Sequence, residues 1–144
     1  MKRFGDLWIG NVWGKLDRFN RRTGTFTHYQ DDPGNPQSLS TDGVYAIYED
    51  RSGDLWIGGG GGGLNRFDRS SETFANYRND AGRRLGLTGD VVNAIDEDHE
   101  GNLWLGGDDL RKYDKRTGAT TWYRHQTDNL YLDNVKLTFY VFSF

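Results

Sequence analysis

The chain has 144 residues, enough for one ordinary domain, with 35% hydrophobic residues, 15% aromatics, 20 glycines and 2 prolines. This lean but aromatic-rich makeup argues against a leucine-packed helical bundle and suits short strands anchored by large rings and turned by glycine. The net charge of -3 carries no basic block, which speaks against nucleic acid as a main partner; the lack of cysteine excludes disulfides, thiol catalysis and cysteine–zinc sites.

The start, MKRFGDLWIG, has two basic residues and no apolar stretch behind them, so it does not read as a signal peptide. No apolar run reaches membrane-spanning length. A cytoplasmic protein and a piece of a longer chain both remain open. The first strand signal is GDLWIG, Gly5 to Gly10, followed by Leu16, Arg18, Phe19, Phe26 and Tyr29. A long polar connection, QDDPGNPQSLSTDG, then leads to a complete unit.

That unit reads as four short strands: a, Val44–Glu49; b, Asp54–Gly58; c, Gly63–Phe67; and d, Thr73–Tyr77. Strict alternation in strand a would put Val44, Ala46 and Tyr48 on one face and Tyr45, Ile47 and Glu49 on the other. EDRSGD and DRSSE are polar turns that make hairpins of a with b and of c with d. A second connection, RNDAGRRLGLTGD, leads to VVNAIDEDHEGNLWLG and then to Leu110, Tyr113 and Tyr123. LYLDNV, Leu130 to Val135, begins a fourth unit, and KLTFYVFSF departs from the pattern.

The units are repeats. GDLWIG at Gly5 returns at Gly53 and, as GNLWLG, at Gly101, each 48 residues on; beyond LWLG the third unit is two residues shorter, so its counterparts fall 46 residues on. Four strands per 40–50 residues mark a β-propeller blade, and no segment shows sustained helical periodicity. The chain is therefore expected to be all-β, with about three blades' worth of four antiparallel strands, a partial propeller or arc. Blade repeats lie near 1–38, 39–86 and 87–129, with a fourth start at 130 and an apolar tail at 136–144.

VYAIYEDRSGDLWIGG, then GGLNRF, TFANY and LTGDVVNAIDED, resemble the two-component regulator propeller repeat, over a stretch from Gly5 to about Val135. The threonine that follows W-I-G in that family is replaced by Asn11, Gly59 and Gly107. The resemblance implies a sensor region of hybrid histidine kinases and related diguanylate cyclases, usually outside the inner membrane, hence periplasmic. It also implies a ligand that is often a carbohydrate or its breakdown product. A closed propeller takes about four to eight blades. A fragment of a longer sensor, self-assembly of two chains and an open arc are the alternatives, and the last strand could complete the first blade in the same or another chain.

Trp8, Trp56 and Trp104 share one slot of strand b, which points to packing between blades. Trp13 sits in a b–c loop without an aromatic counterpart and is a candidate ligand contact, as are Asp31, Asp32, Asn35, Arg83 and Arg84 in the long connections. Glu49, Asp50, Glu97 and Asp98 read as solvated turn residues, and His28, His99 and His125 occupy unrelated slots without metal-ligand spacing. Gly58 to Gly63 are followed by a strand and by no Lys-Ser/Thr, which rules out a phosphate loop, and they lie inside a blade, which rules out a linker. They read as a mobile b–c loop. No cofactor, metal or catalytic constellation emerges. A binding module is expected first, a protein–protein scaffold second, and a propeller glycosidase or lyase third.

Overall fold

The alternating aromatic and aliphatic stretches form strands, and every two successive strands within a repeat are close enough in sequence to pair antiparallel. The computed structural model describes residues 5–61, 63–77, 91–107 and 110–123. Arg83, Arg84, His125, the fourth start and the apolar tail lie outside the described residues. Eleven strands and no helix occur among the described residues: β1 (Leu7–Gly10), β2 (Leu16–Asn20), β3 (Thr25–Tyr29), β4 (Val44–Glu49), β5 (Leu55–Gly59), β6 (Leu64–Asp68), β7 (Thr73–Tyr77), β8 (Ala94–Glu97), β9 (Leu103–Gly106), β10 (Leu110–Tyr113) and β11 (Thr120–Tyr123). They make three meandering sheets, β1-β2-β3, β4-β5-β6-β7 and β8-β9-β10-β11. The sheets repeat in register as well as in sequence. Leu7 faces Phe19, Leu55 faces Phe67 and Leu103 faces Tyr113.

The core lies between successive sheets. Leu16, Leu39, Val44, Leu55, Ile57, Phe67 and Phe74 are buried together, with Trp8 and Tyr29 of the first sheet packed on them. Trp56, Leu64, Val92, Leu103, Leu105 and Tyr113 form the second buried cluster. The repeated tryptophan is the wedge in both: Trp8 meets Phe67 at a ring-centroid distance of 4.9 Å, and Trp56 meets Tyr113 at 6.0 Å. Backbone bonds tie the sheets too, since Val44 N–H donates to Asn11 O and Val92 N–H to Gly59 O.

Strand β4 departs from strict alternation. Val44 pairs with Gly59 and Ala46 with Gly58, so Tyr45 is the extra residue of a β-bulge. The bulge turns Val44 and Ile47 to the same face, where both pack with the first cluster, while Tyr48 packs on the second.

The glycine run is not a mobile loop at its start. Gly58, Gly59 and Gly60 are buried. A Cβ on Gly58 would lie 2.5 Å from Val92 Cγ1, and one on Gly59 would lie 1.8 Å from Gly43 O. Gly10 repeats the first relation, with Val44 Cγ1 2.2 Å from its Cβ position. The glycine of L-W-I-G is thus the slot that receives the valine of the next blade, and the residue after it is where the sheet's own first strand arrives. The c–d turn adds one conformational demand. It needs a left-handed residue, supplied by Gly24 and Gly118 at φ 71° and 75° and by Glu72 at φ 57°. Glu72 Oε1 accepts a 2.7 Å bond from Arg18 Nη2 of the first sheet, which holds this strained position.

Candidate functional site

The connection between β3 and β4 crosses the outer part of the second sheet and is fastened at both ends. Phe74 N–H donates to Gln37 O and Asn76 Nδ2 to Pro36 O. The Asn65 side chain, fully buried, accepts from Ser40 N–H at 3.1 Å and donates to Ser40 O at 3.0 Å. Within the loop, Asp32 Oδ1 accepts from Gly34 N–H, Asn35 Oδ1 from Gln37 N–H, and Ser38 Oγ from Asp32 N–H. Pre-folding of this kind lowers the ordering cost of any contact the loop makes.

The loop borders two cavities. The larger, about 860 Å³, is lined by Asp31, Asp32, Asn35, Ser38, Asn76 and Tyr77 on one side and by Leu105, Arg111, Tyr113, Thr120 and Trp122 of the third sheet on the other. The smaller, about 400 Å³, shares Asp31, Asp32 and Asn35 and adds His28, Tyr29 and Glu72. The structure therefore brings together the three sequence-selected residues of this loop. Arg111 Nη2 donates to Val91 O at 2.8 Å, and its guanidinium lies 4.9 Å from the Trp122 ring, so the larger cavity has a cationic and aromatic wall. Its apolar floor repeats the environment of Leu39: Leu64, Leu105 and Tyr113 are the repeat counterparts of Leu16, Ile57 and Phe67. Leu87, the sequence counterpart of Leu39, lies outside the described residues. Neither Arg111 nor Trp122 was among the expected contacts. The signal was available, because Arg111 falls in the slot held by Asp17 and Asn65 in the other repeats. Trp13 is 82% exposed and belongs to neither cavity.

Of the four turn carboxylates Glu49 is exposed as expected, but the others are not freely solvated. Asp50 and Glu97 are buried, and both bind Lys115, at 3.0 Å and 2.7 Å. Arg51 completes the cluster through its Nε to Glu97 Oε1 at 3.0 Å and its Nη2 to Asp98 O. Asp50 Oδ2 also accepts from Trp56 Nε1, and Asp98 Oδ2 from Trp104 Nε1, both at 2.8 Å. Burial favours protonation of these acids, but the donors outweigh it. Lys115, Trp56 and the backbone N–H of Asp54 hold Asp50 below its ordinary range, and Lys115 and Arg51 do the same for Glu97. Against its own burial, Asp98 is pulled down to about 2 by Trp104 and by the Asn102 and Glu100 amides. Carboxylates held ionised in this way cannot serve as general acids near neutral pH. Among the described residues no group of three or more His, Asp or Glu side chains is arranged to hold a metal. None of them forms a helix long and apolar enough to cross a membrane.

No curated protein matches the chain. Two solved structures share its fold: the extracellular domain of BT4673 from B. thetaiotaomicron, described in one case as a one component system and in the other as a hybrid two component system. They match at TM-scores of 0.67 and 0.65 with 20% identity, covering 84% of this chain. The chain spans only 16% of the length of each. The family of the two component regulator propeller matches residues 38–61 and 86–109. Those stretches hold the first two strands of the second and third sheets, so in each of these two sheets the first hairpin resembles the two component regulator propeller repeat.

Proposed function

We propose that the chain is a non-catalytic, ligand-sensing part of a bacterial signal-transduction sensor, working outside the inner membrane. The observation that carries this reading is the large cavity, where a pre-folded polar loop faces a wall of Arg111 and Trp122. Its rim suits a polar ligand with an apolar face, such as a saccharide: Asp31, Asp32, Asn35 and Asn76 offer hydrogen bonds and Trp122 offers a stacking surface. Asp50, Glu97 and Asp98 are engaged by Lys115, Arg51 and the tryptophan N–H groups and line neither cavity, which supports the non-catalytic part. Binding to the folded state alone raises stability by RT ln(1 + [L]/Kd). A panel of neutral and acidic oligosaccharides should therefore raise the thermal midpoint with rising ligand concentration, and Trp122→Ala should abolish the rise. A panel that leaves the midpoint flat argues against saccharide sensing, and turnover of a glycoside argues for an enzyme.

A protein–protein scaffold is the second reading. The observation that favours it is the exposed apolar surface of the first sheet, where Leu7, Ile9, Val12 and Trp13 are 45%, 48%, 62% and 82% exposed.

A further inference from the structure

The first two repeats hold the same three side chains in different pairings. In the second, Arg66 bonds Asp54 at 3.1 Å and lies within hydrogen-bond reach of the Tyr77 hydroxyl. In the first, its counterpart Arg18 keeps a 3.5 Å contact with Asp6 and gives its closest bond, 2.7 Å, to Glu72 of the next sheet. Tyr29, the counterpart of Tyr77, is left with a buried hydroxyl oxygen that has no hydrogen-bond partner among the described residues. Burying a polar atom without a partner is costly. Glu72 makes the difference: the equivalent turn residues are Gly24 and Gly118, which have no side chain to compete for the cation.

Tyr29 and Glu72 both line the smaller cavity, whose volume of about 400 Å³ is that of a small-molecule site. Its other carboxylates, Asp31 and Asp32, form no ion pair among the described residues, and no lysine or arginine among them lines it. Carboxylates without a cation attract one. Among the described residues no acidic group is arranged for a metal. An ammonium or guanidinium fits better, because it brings N–H donors to the carboxylates and a methylene stem to the apolar floor of Leu39 and Phe74. The Arg18 guanidinium on Glu72 shows that this carboxylate accepts such a group. We propose that the smaller cavity binds a small organic cation, an alkyl amine or guanidine, whose charged group takes Glu72 in place of Arg18. Arg18 then donates to the Tyr29 hydroxyl while keeping Asp6, as Arg66 does with Tyr77 and Asp54. The exchange gives up a half-exposed ion pair, which is worth little, and satisfies a buried oxygen. Occupation of the cavity is thereby linked to a contact between the first two sheets. The site is separate from the larger cavity and does not rest on the saccharide reading.

The test titrates the full chain with agmatine, 1,4-diaminobutane and the uncharged 1,4-butanediol at constant ionic strength, by calorimetry. Saturable binding of agmatine or the diamine, and none of the diol, is expected. Glu72→Gln should weaken it roughly tenfold or more, from loss of a charged hydrogen bond. Glu72→Gly, which relieves the left-handed backbone and so keeps the chain folded, should weaken it as much. Tyr29→Phe removes only the orphan hydroxyl. It should leave the thermal midpoint of the free chain unchanged or higher, yet weaken binding, since Arg18 loses the partner it moves to. Absence of saturable binding, equal binding of the diol, or affinity indifferent to both Glu72 variants overturns the proposal. An affinity unchanged in Tyr29→Phe overturns the exchange of Arg18.

Discussion

Leu7–Gly10 and Leu55–Gly58 are the same four residues, Leu-Trp-Ile-Gly, in two different environments. Both form strands and both meet the next strand in the same register. Yet Leu55 and Ile57 are 3% and 0% exposed, while Leu7 and Ile9 are 45% and 48% exposed. The local sequence decides conformation and pairing. Burial is decided by the strand beside it and the sheet across from it, which β5 has on both counts. A propeller blade is in this sense a unit that cannot cover its own faces.

The same substitution in the two copies should break the equivalence most. Ile57→Ala removes buried atoms beside Leu39 and Val44 and should cost roughly 2–5 kcal/mol, whereas Ile9→Ala should stay within about 0.5 kcal/mol. Urea denaturation of both variants measures the gap, and equal losses would show that β1 is covered in solution. Next in size is the cation that follows strand c. Lys115→Met leaves buried Asp50 and Glu97 without their shared partner and should cost about 3 kcal/mol. Arg69→Met, in the same repeat slot but paired to an exposed Glu49, should cost less than about 1 kcal/mol. Comparable losses would place the two cations in equal environments.

Smaller again is the close approach at Gly59. Ala there meets the Gly43 carbonyl and should cost roughly 1–3 kcal/mol. Ala at Gly5, where a Cβ meets nothing within 4 Å, should be near neutral, as the midpoint of thermal unfolding will show. The subtlest contrast is in acid. Carboxylates with depressed native pKa values contribute stability above their unfolded values and lose it as pH falls through the native ones. For Asp98 the window runs from about 4 down to about 2. Trp104→Phe removes a donor to Asp98, so its acid transition should begin at higher pH than in the parent chain. Trp8→Phe, with no carboxylate partner among the described residues, should leave the transition where it is. A shift with Trp8→Phe would reveal an acceptor already in place.

The fold was legible because it is repeated. Matching Leu-Trp-Ile-Gly at a fixed spacing located the strands of the second repeat to within a residue and the Trp slot between sheets. The loop of Asp31, Asp32 and Asn35 was legible as a place, since its length and polarity stand out between two strands. Its partners Arg111 and Trp122 were not, because they lie some 80 residues away on the next sheet.

Two misreadings have a common cause. Asp50 and Glu97 look like turn residues within their own repeat, and the alignment of repeats cannot show that Lys115 reaches both from one sheet to the other. Gly58 and Gly59 look like a loop robbed of side chains, whereas Val92 and the Gly43 carbonyl fill that space. The sequence by itself determined the strands, their order and the repeat that makes them blades, because residue patterning and turn chemistry act over a few residues, while the bulge at Tyr45 escaped it. Tertiary structure alone decided which of the three repeated slots are buried, which carboxylates stay charged and where a cavity opens, because desolvation, charge pairing and steric fit depend on what stands across an interface.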